Sequence, residues 1–222
     1  YPGLTANAEI ARPPEAVNAR EPFVVSARLW HRNRASRAPA GLGSYVVSGE
    51  TDMTYFVTGG TGFIGRFLVS KLLARKGQFQ VLVRKGSQKK FEETAAKMGW
   101  DRKRVLPVVG DLAKPKLGLT AAQLKALTGK VKHVFHLAAI YDLTADAESQ
   151  RIANVEGTKH AMEFAGAVKA ACFHHTSSIA AAGLYPGVFR EDMFDEAEGL
   201  NDPYFRTKHD SEGLVRTGCP VP

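Results

Sequence analysis

From Met53 to the end of the chain, short apolar runs alternate with stretches in which apolar residues recur at helical spacing. Apolar runs bounded by turn or polar residues are typical of buried strands. The longer stretches between them leave room for the crossover helices that connect parallel strands. We predict five strands, at Thr54–Thr58, Gln80–Arg84, Val105–Val109, His133–Leu137 and Cys172–Thr176.

Two of the intervening stretches predict helices. Phe63–Arg75 places apolar residues on one helical face, and Ala147–Lys169 is a longer stretch of small and apolar residues. Strands that alternate with helices are typical of a parallel sheet with helices on both faces. The sequence therefore predicts an α/β fold with a doubly wound parallel sheet over residues 53–222.

The first 52 residues differ in composition from the rest of the chain. They contain six arginines, no lysine and five of the eleven prolines, without a sustained helical or strand period. Met53 is the first methionine and opens the first predicted strand. We expect residues 1–52 to be a disordered or non-native leader, such as translated upstream sequence. An arginine-rich targeting peptide is the alternative, which the acidic residues of this segment disfavour.

Composition and charge exclude several other classes of protein. The formal net charge is +8, but the basic residues are scattered, so we do not expect nucleic-acid binding. No apolar run approaches the roughly 18 to 20 residues that span a bilayer, and we expect a cytoplasmic protein. Cys172 and Cys219 make no disulfide framework and have no partner at metal-ligand spacing, so we predict no metal site. His174 and His175 are adjacent in a strand, point to opposite faces and are expected to be structural.

A glycine-rich turn connects the first predicted strand to the first predicted helix. Its sequence is Thr58-Gly59-Gly60-Thr61-Gly62-Phe63-Ile64-Gly65. In such a turn Gly59 permits a tight bend, Gly62 lets the backbone approach a pyrophosphate, and Gly65 allows the helix to lie close to the sheet. The helix N-terminus faces the phosphates with unpaired amides and a favourable dipole. The turn therefore predicts a dinucleotide-binding site.

The spacing Thr-Gly-x-x-Gly-x-x-Gly resembles that of the extended short-chain dehydrogenase/reductase superfamily. Three further segments match motifs of that superfamily in the expected order: Asp111–Leu112, His136–Ala139 and Asn154–Thr158. The resemblance runs from Met53 to roughly Arg216 and implies a Rossmann-type fold. Taken singly, each segment also has a structural interpretation, in which Asp111 caps a loop, His136 is a core histidine and Asn154 starts a helix.

The resemblance implies which residues bind the cofactor. Asp111 would accept a hydrogen bond from the exocyclic amine of the adenine, and Asn154 would support the active site through a backbone-bound water. The implied cofactor-binding set is Thr58, Gly59, Gly62, Phe63, Ile64, Gly65, Arg84, Lys85, Asp111, Leu112, Ala138, Ala139, Tyr204 and Lys208.

The end of the second predicted strand indicates which nicotinamide cofactor fits. NAD sites usually place a carboxylate there for the ribose 2'-hydroxyl, whereas NADP sites place a cation. Here Arg84 and Lys85 follow the apolar run, and no carboxylate occurs before Glu92. Arg84 can stack on the adenine and pair with a 2'-phosphate, helped by Lys85 and Lys89. NADP(H) is therefore favoured over NAD(H), and a solvated basic loop is the alternative.

Tyr204 and Lys208 fit the Tyr-x-x-x-Lys motif of the same superfamily. A spacing of four places both side chains on one helical face. Tyrosine has a reference pKa of about 10, so a tyrosine that transfers protons near neutral pH needs a nearby cation, here Lys208. The resemblance implies that Ser178, with Ser177 as the alternative, holds a substrate carbonyl oxygen while Tyr204 delivers a proton and the nicotinamide delivers hydride. Asn154 completes the catalytic set.

Subgroup features indicate the reaction. The segment Phe189–Asp192, the Val-Leu-Val-Arg strand end and the Asn-Val-Glu-Gly-Thr helix resemble acyl-thioester reductases, which reduce acyl-CoA or carrier-bound thioesters with NADPH. We expect an NADPH-dependent oxidoreductase acting on a small-molecule or acyl-thioester substrate, and we allow for a homodimer. A nucleotide-sugar epimerase or dehydratase, a hydroxysteroid dehydrogenase-like enzyme and a non-catalytic NADP-binding regulator are the alternatives. Because the sequence stops at Pro222, where the superfamily's sixth strand should start, we expect a fragment whose C-terminal substrate-binding part is missing.

Overall fold

The computed structural model describes residues 53–141 and 145–222, and the expected leader, residues 1–52, lies outside the described residues. The strands of the described part are β1 Thr54–Thr58, β2 Gln78–Val83, β3 Val105–Val109, β4 Val131–His136 and β5 Cys172–His175. Its α-helices are α1 Phe63–Leu72, α2 Gln88–Met98, α3 Ala121–Leu127, α4 Ala147–Arg151, α5 Gly157–Ala167 and α6 Pro203–Gly218. None of these helices has the length and apolar composition that crossing a bilayer requires.

The five strands form one parallel sheet in the order β3-β2-β1-β4-β5. The chain first builds outward from β1 on one side and then returns to the other side at β4, so the strand order reverses between these two strands. Ligands of doubly wound folds bind at the carboxyl ends of the strands at such a reversal. The register pairs Thr58 with His136 at this edge. The fold class predicted from the sequence is confirmed.

The predicted boundaries hold to within a few residues. β1 and β3 have the predicted bounds, β2 and β4 each begin two residues earlier and end one earlier, and β5 ends one residue earlier. The predicted helix at 63–75 ends at Leu72. The single helix predicted at 147–169 is instead interrupted, because a π-helical turn at Ile152–Glu156 separates α4 from α5. Such turns are common near functional sites.

Two apolar cores cover the two faces of the sheet. Successive residues of a strand face opposite sides, and in β1 Phe56 packs against Phe164 of α5, whereas Tyr55 stacks on Phe79 of β2. Each fully buried side chain of this size stabilises the fold by roughly 1.5 to 3 kcal/mol. The two cores therefore hold helices against both faces and fix the position of the carboxyl edge.

The turn after β1 depends on two glycines. Gly59 has φ +71°, a conformation that L side chains rarely adopt, and a Cβ there would lie 2.7 Å from the backbone nitrogen of Ala138. Gly65 in the first turn of α1 lies directly against the Gly59 carbonyl oxygen, and a Cβ would overlap that oxygen. The absence of both Cβ atoms lets α1 begin close to the ends of β1 and β4.

A chain of buried polar groups joins this turn to α5. The imidazole of His136 is 1% exposed, with Nδ1 2.8 Å from the Thr58 hydroxyl and Nε2 3.0 Å from the Thr158 hydroxyl. Thr58 Oγ1 also accepts from the Ala138 amide, and the Thr158 hydroxyl donates to the Asn154 carbonyl. Each hydroxyl has one proton, so Thr58 donates to Nδ1 and His136 donates from Nε2–H to Thr158. The contacts fix one tautomer of the neutral ring.

Burial lowers the pKa of His136 to about 3, with smaller contributions from His175 and Lys208. The neutral ring matches the hydrogen bonds described above, because a protonated imidazole would have to donate from both nitrogens. The Thr58 hydroxyl oxygen already accepts a hydrogen bond from the Ala138 amide, and its own proton is donated to Nδ1 of the ring. These contacts suit a neutral imidazole, which accepts at Nδ1.

Replacement of Gly65 by alanine is expected to destabilise the fold by about 1 to 3 kcal/mol, because the new methyl overlaps the Gly59 carbonyl. In a helix without such a close contact, replacement of glycine by alanine would stabilise the helix by up to about 1 kcal/mol. Urea unfolding of the purified chain measures the difference. Gly86→Ala is the matched control, since nothing lies within 4 Å of its Cβ position, and it should change stability by less than about 0.5 kcal/mol. Equal effects of the two substitutions would contradict the proposed contact.

The buried imidazole also predicts a pH dependence of stability. Its folded pKa of about 3 lies below the unfolded value of about 6.5, so the unfolded chain binds a proton that the native chain excludes. Stability should therefore fall as pH drops below about 6.5, by on the order of 2 kcal/mol between pH 7 and pH 5 from this residue. Urea midpoints at both pH values should show a smaller loss for His136→Asn than for the unchanged chain. His160→Asn, which removes an imidazole outside this buried chain, should leave the loss as it was.

Candidate active site

A cleft of about 310 Å³ lies at the carboxyl edge of the sheet, where the strand order reverses. It contains residues from the turns after β1, β2, β3 and β4 and from the π-helical turn. Its lining residues are Gly59, Thr61, Gly62, Leu82, Val83, Arg84, Ser87, Lys90, Gly110, Leu112, Leu137, Ala138, Ala139, Ile140 and Ala153. Six of the predicted cofactor residues are among them: Gly59, Gly62, Arg84, Leu112, Ala138 and Ala139.

The glycine turn lines this cleft and leads into the N-terminus of α1. The Gly62 amide donates to the Gly59 carbonyl at 2.9 Å, which closes the turn before α1. Gly62 is the N-cap of α1, no side chain caps the helix, and its first turn contains no acidic residue. The side chains of Phe63 and Ile64 are 75% and 58% exposed. Their predicted contribution to phosphate binding would therefore come from the backbone amides at a positive helix end.

Basic side chains lie at the end of β2. Arg84 follows the strand and lines the cleft, together with Lys90 from the first turn of α2. Lys85 begins a 3₁₀ turn and does not line the cleft. On the surface, Nζ of Lys89 lies 4.0 Å from Oε1 of Glu93. The sequence interpretation missed Lys90, although a lysine two positions into a helix that starts beside the cleft is a detectable signal.

Asp111 lies in the loop after β3. One carboxylate oxygen accepts from the Ala113 amide at 3.0 Å, and the Asp111 amide donates to the Leu117 carbonyl. The residue therefore has the loop-capping contact that the structural interpretation predicted, and its carboxylate has further lone pairs that could accept from an adenine amine. Leu112, which follows it, lines the cleft, and its carbonyl accepts from His160 at 2.7 Å.

Helix α6 begins at a defined cap and turns one face inward. Asp202 accepts from the amide of Tyr204 at 2.8 Å, and Pro203 occupies the first helical position. The buried residues of α6 recur at helical spacing, at Tyr204, Thr207, Lys208 and Ser211. Tyr204 and Lys208 therefore lie on the same buried face, as their spacing predicted.

Lys208 is 3% exposed and anchored at the end of β5. Its Nζ donates to the Thr176 carbonyl at 3.0 Å. Burial lowers the pKa of Lys208, while the nearby Glu212 carboxylate acts in the opposite direction. Two effects lower the pKa of His175 to about 4: burial, which is the larger, and the nearby Lys208 ammonium. His175 stacks on His136, whereas His174 stacks on Phe135 on the opposite face of the sheet, so the predicted divergence of the two histidines is confirmed.

The two candidate serines have different hydrogen bonds. The Ser177 hydroxyl donates to the Glu212 carboxylate in a short contact. Ser178 Oγ accepts from the Ala180 amide at 3.2 Å and begins the 3₁₀ turn Ile179–Ala182. Within the described residues the Ser178 hydroxyl donates to no protein group, so its proton is available to an external oxygen. The two hydroxyls therefore differ in whether their protons are already engaged by protein groups.

Asn154 connects the cleft to α6. Its side chain accepts from the Ile140 amide at 2.8 Å and donates to the Ile140 carbonyl and to the Thr207 hydroxyl. Ile140 lines the cleft, and Thr207 lies next to Lys208 in α6. Tyr141, which sequence reasoning missed, is 77% exposed and contacts the Tyr204 ring edge-on at 5.1 Å. An aromatic residue two positions after the His-Leu-Ala-Ala segment was the available signal.

The comparisons with known proteins agree with this arrangement. Residues 57–220 match the family of NAD-binding domains described as male sterility protein. A linear gramicidin synthase polypeptide of Brevibacillus parabrevis is 32% identical over 176 residues, which cover 72% of this chain and 3% of that protein. The L-2-aminoadipate reductase large subunit of Penicillium chrysogenum is 32% identical over 192 residues, or 75% of this chain and 14% of the reductase.

A solved structure shows the same fold. The terminal R domain of the myxalamid PKS-NRPS biosynthetic pathway has a TM-score of 0.67 and 28% sequence identity, over 77% of this chain and 47% of that domain. This chain therefore spans about half of that domain and a small part of the two relatives described above. The family match covers most of the chain, including the glycine turn and α6. The chain belongs to the NAD-binding male sterility protein family, within the extended short-chain dehydrogenase/reductase superfamily.

Proposed function

We propose that residues 53–222 form the cofactor-binding and catalytic part of an NADPH-dependent reductase that transfers hydride to the carbonyl of an acyl thioester. Residues 1–52 are the leader in this proposal. The observation that carries it is the buried face of α6, where Lys208 is held at the end of β5 four residues after Tyr204. The similarity to a protein named as a reductase, the aminoadipate reductase, supports a reductase for this chain as well.

The cleft fits a nicotinamide dinucleotide in shape and charge. A Cβ at Gly59 or Gly65 would fill the turn, and the start of α1 is uncapped and free of acidic residues. When bound, the cofactor supplies the hydride. The Ser178 hydroxyl would donate to the substrate carbonyl oxygen, and Tyr204 would give that oxygen a proton as its negative charge develops. Lys208, with two N–H groups not used by Thr176, would stabilise the tyrosine that has lost its proton.

The tyrosine is the sharpest test of this chemistry. The protein, mixed with NADPH and a panel of acyl-CoA thioesters, should oxidise NADPH, and Tyr204→Phe should lower kcat by about 10² to 10⁴ while leaving the Kd for NADPH unchanged. Absorbance at the reduced-nicotinamide band gives kcat, and fluorescence of bound NADPH gives Kd. Phe205→Leu, on the neighbouring position, is a matched control that should keep most turnover.

Other results would select the alternatives. Interconversion of nucleotide sugars without net NADPH consumption would identify an epimerase and overturn the reductase proposal. Tight NADPH binding with no turnover on thioesters, aldehydes or nucleotide sugars would support a non-catalytic regulator. Unchanged kcat in Tyr204→Phe would remove the assigned proton donor.

NADP(H) is the form of the cofactor that the cleft favours. Arg84 and Lys90 line it beside the end of β2, and its lining contains no aspartate or glutamate. An NAD site needs a carboxylate near the ribose 2'-hydroxyl, and a 2'-phosphate needs cations. The lining of the described cleft therefore complements the phosphorylated ribose.

Loss of the Arg84 guanidinium should separate the two cofactors. Charge-assisted hydrogen bonds contribute about 1.5 to 3 kcal/mol, so Arg84→Ala should raise the Kd for NADPH by about 10- to 100-fold. The Kd for NADH should change by less than about threefold, because NADH has no 2'-phosphate. Lys97→Ala is the control, since this exposed lysine lies in the last turn of α2, and it should leave both Kd values unchanged. Equal weakening of NADPH and NADH by Arg84→Ala would contradict the assignment.

A further inference from the structure

Three potential metal-ligand side chains meet on the β4–β5 part of the sheet, on the face of Tyr55 and Phe135 and away from the buried His136. They are His133 of β4 and Cys172 and His174 of β5, all partly buried. One ligand atom from each lies within 4.8 Å of the others. Cys172 and His174 are two residues apart, and sequence spacing alone could not show that His133, far away in sequence, completes the set. Parallel pairing places His133 directly opposite Cys172.

The two imidazole nitrogens are already close together. His133 Nδ1 and His174 Nε2 are 3.0 Å apart. In a tetrahedral zinc site, Zn–N bonds of about 2.0 to 2.1 Å and a Zn–S bond of about 2.3 Å place the ligand atoms roughly 3.3 to 3.6 Å apart. The nitrogen pair therefore needs to open by only a few tenths of an ångström, and the sulfur needs to approach by about 1 Å. Side-chain rotations of that size need no change in the strands.

Neighbouring rings hold both imidazoles in place. His174 stacks on Phe135 with ring centroids 4.3 Å apart, and His133 stacks on Tyr55 at 5.5 Å. Ligands on rigid strands whose rotamers are fixed by packing lose little freedom when a metal binds. Arg75 is close enough to act electrostatically on His133, and its positive charge opposes a cation.

We propose that His133, Cys172 and His174 bind a single Zn²⁺ ion, with water as the fourth ligand. Two imidazoles and one thiolate form a borderline-soft set that suits Zn²⁺ and not Mg²⁺ or Ca²⁺. When the ion binds, the Cys172 thiol loses its proton to solvent, and the proton that His133 and His174 share moves to an outer ring nitrogen. No oxidation or reduction occurs.

The ion has a structural role in this proposal. His133 lies three residues before His136, which places the site roughly 10 Å from the carboxyl edge where the cofactor cleft lies. Metal bonds from two adjacent strands clamp β4 to β5, and binding to the folded chain alone raises its stability. The proposal does not depend on the proposed reductase activity, and its tests use no activity measurement.

Cobalt is the probe for the binding test, because Co²⁺ occupies zinc sites and reports thiolate ligation through a near-ultraviolet charge-transfer band. The chain, freed of metal by a chelator, should develop this band together with intense visible bands and saturate at about one Co²⁺ per chain. Added Zn²⁺ should remove both signals and raise Tm. Cys172→Ser should abolish the charge-transfer band, and His174→Gln should weaken Co²⁺ binding at least about tenfold.

The second cysteine supplies the matched control. Cys219 packs against the core on the other face of the sheet, so Cys219→Ser should keep the cobalt spectrum and the Zn²⁺-dependent rise in Tm. Circular dichroism of the metal-free variants checks that each one folds. X-ray absorption of the Zn²⁺-loaded unchanged chain should show one sulfur and two imidazole ligands, and it needs no variant. Absence of sulfur from that shell, a charge-transfer band that survives Cys172→Ser, or an equal rise in Tm with and without Cys172 would overturn the proposal.

Discussion

The hydrogen bonds of His136 hold together the segments at the carboxyl edge of the sheet, from the end of β1 to the start of α5. A buried polar group without partners costs about 1 to 3 kcal/mol, so the ring is tolerated only while Thr58 and Thr158 both contact it. Those contacts require one tautomer and one register of β1 against β4. A slip of one residue would point every side chain of the strand to the other face. The hydrogen bonds of His136 and the apolar packing of the strand faces therefore require the same register of β1 against β4. That register places Gly59 in the lining of the cleft.

The constraint continues from β4 to α6. Thr158 donates to the Asn154 carbonyl, and the Asn154 side chain contacts both the backbone of Ile140 and the hydroxyl of Thr207. The cleft wall and α6 are thus held by one amide group, which lies in a π-helical turn. A regular helix would rotate the following residues by a different amount, so the extra residue in this turn allows the amide to reach both partners.

Local sequence patterns predicted most of the fold and the motifs of the site, because strand, turn and helix signals each depend on nearby residues. The glycine turn could be recognised in this way, as could the shared face of Tyr204 and Lys208. Features that depend on contacts between distant segments could not. Tyr141 meets Tyr204 only after the sheet and α6 have assembled, and His133 reaches His174 across 41 residues of sequence. The π-helical turn was missed because its composition is that of an ordinary helix.

The contacts of Glu212 bear on the charge of the buried Lys208. Glu212 lies one turn after Lys208 on α6 and would be the obvious ion-pair partner. Its two oxygens instead accept from Ser177 and from Arg216. The carboxylate is near enough to oppose the effect of burial on the Lys208 pKa, but the lysine's direct bond goes to the neutral Thr176 carbonyl. Ser177 therefore helps to position the carboxylate that acts on Lys208, whereas the only protein contact of the Ser178 hydroxyl within the described residues is the Ala180 amide.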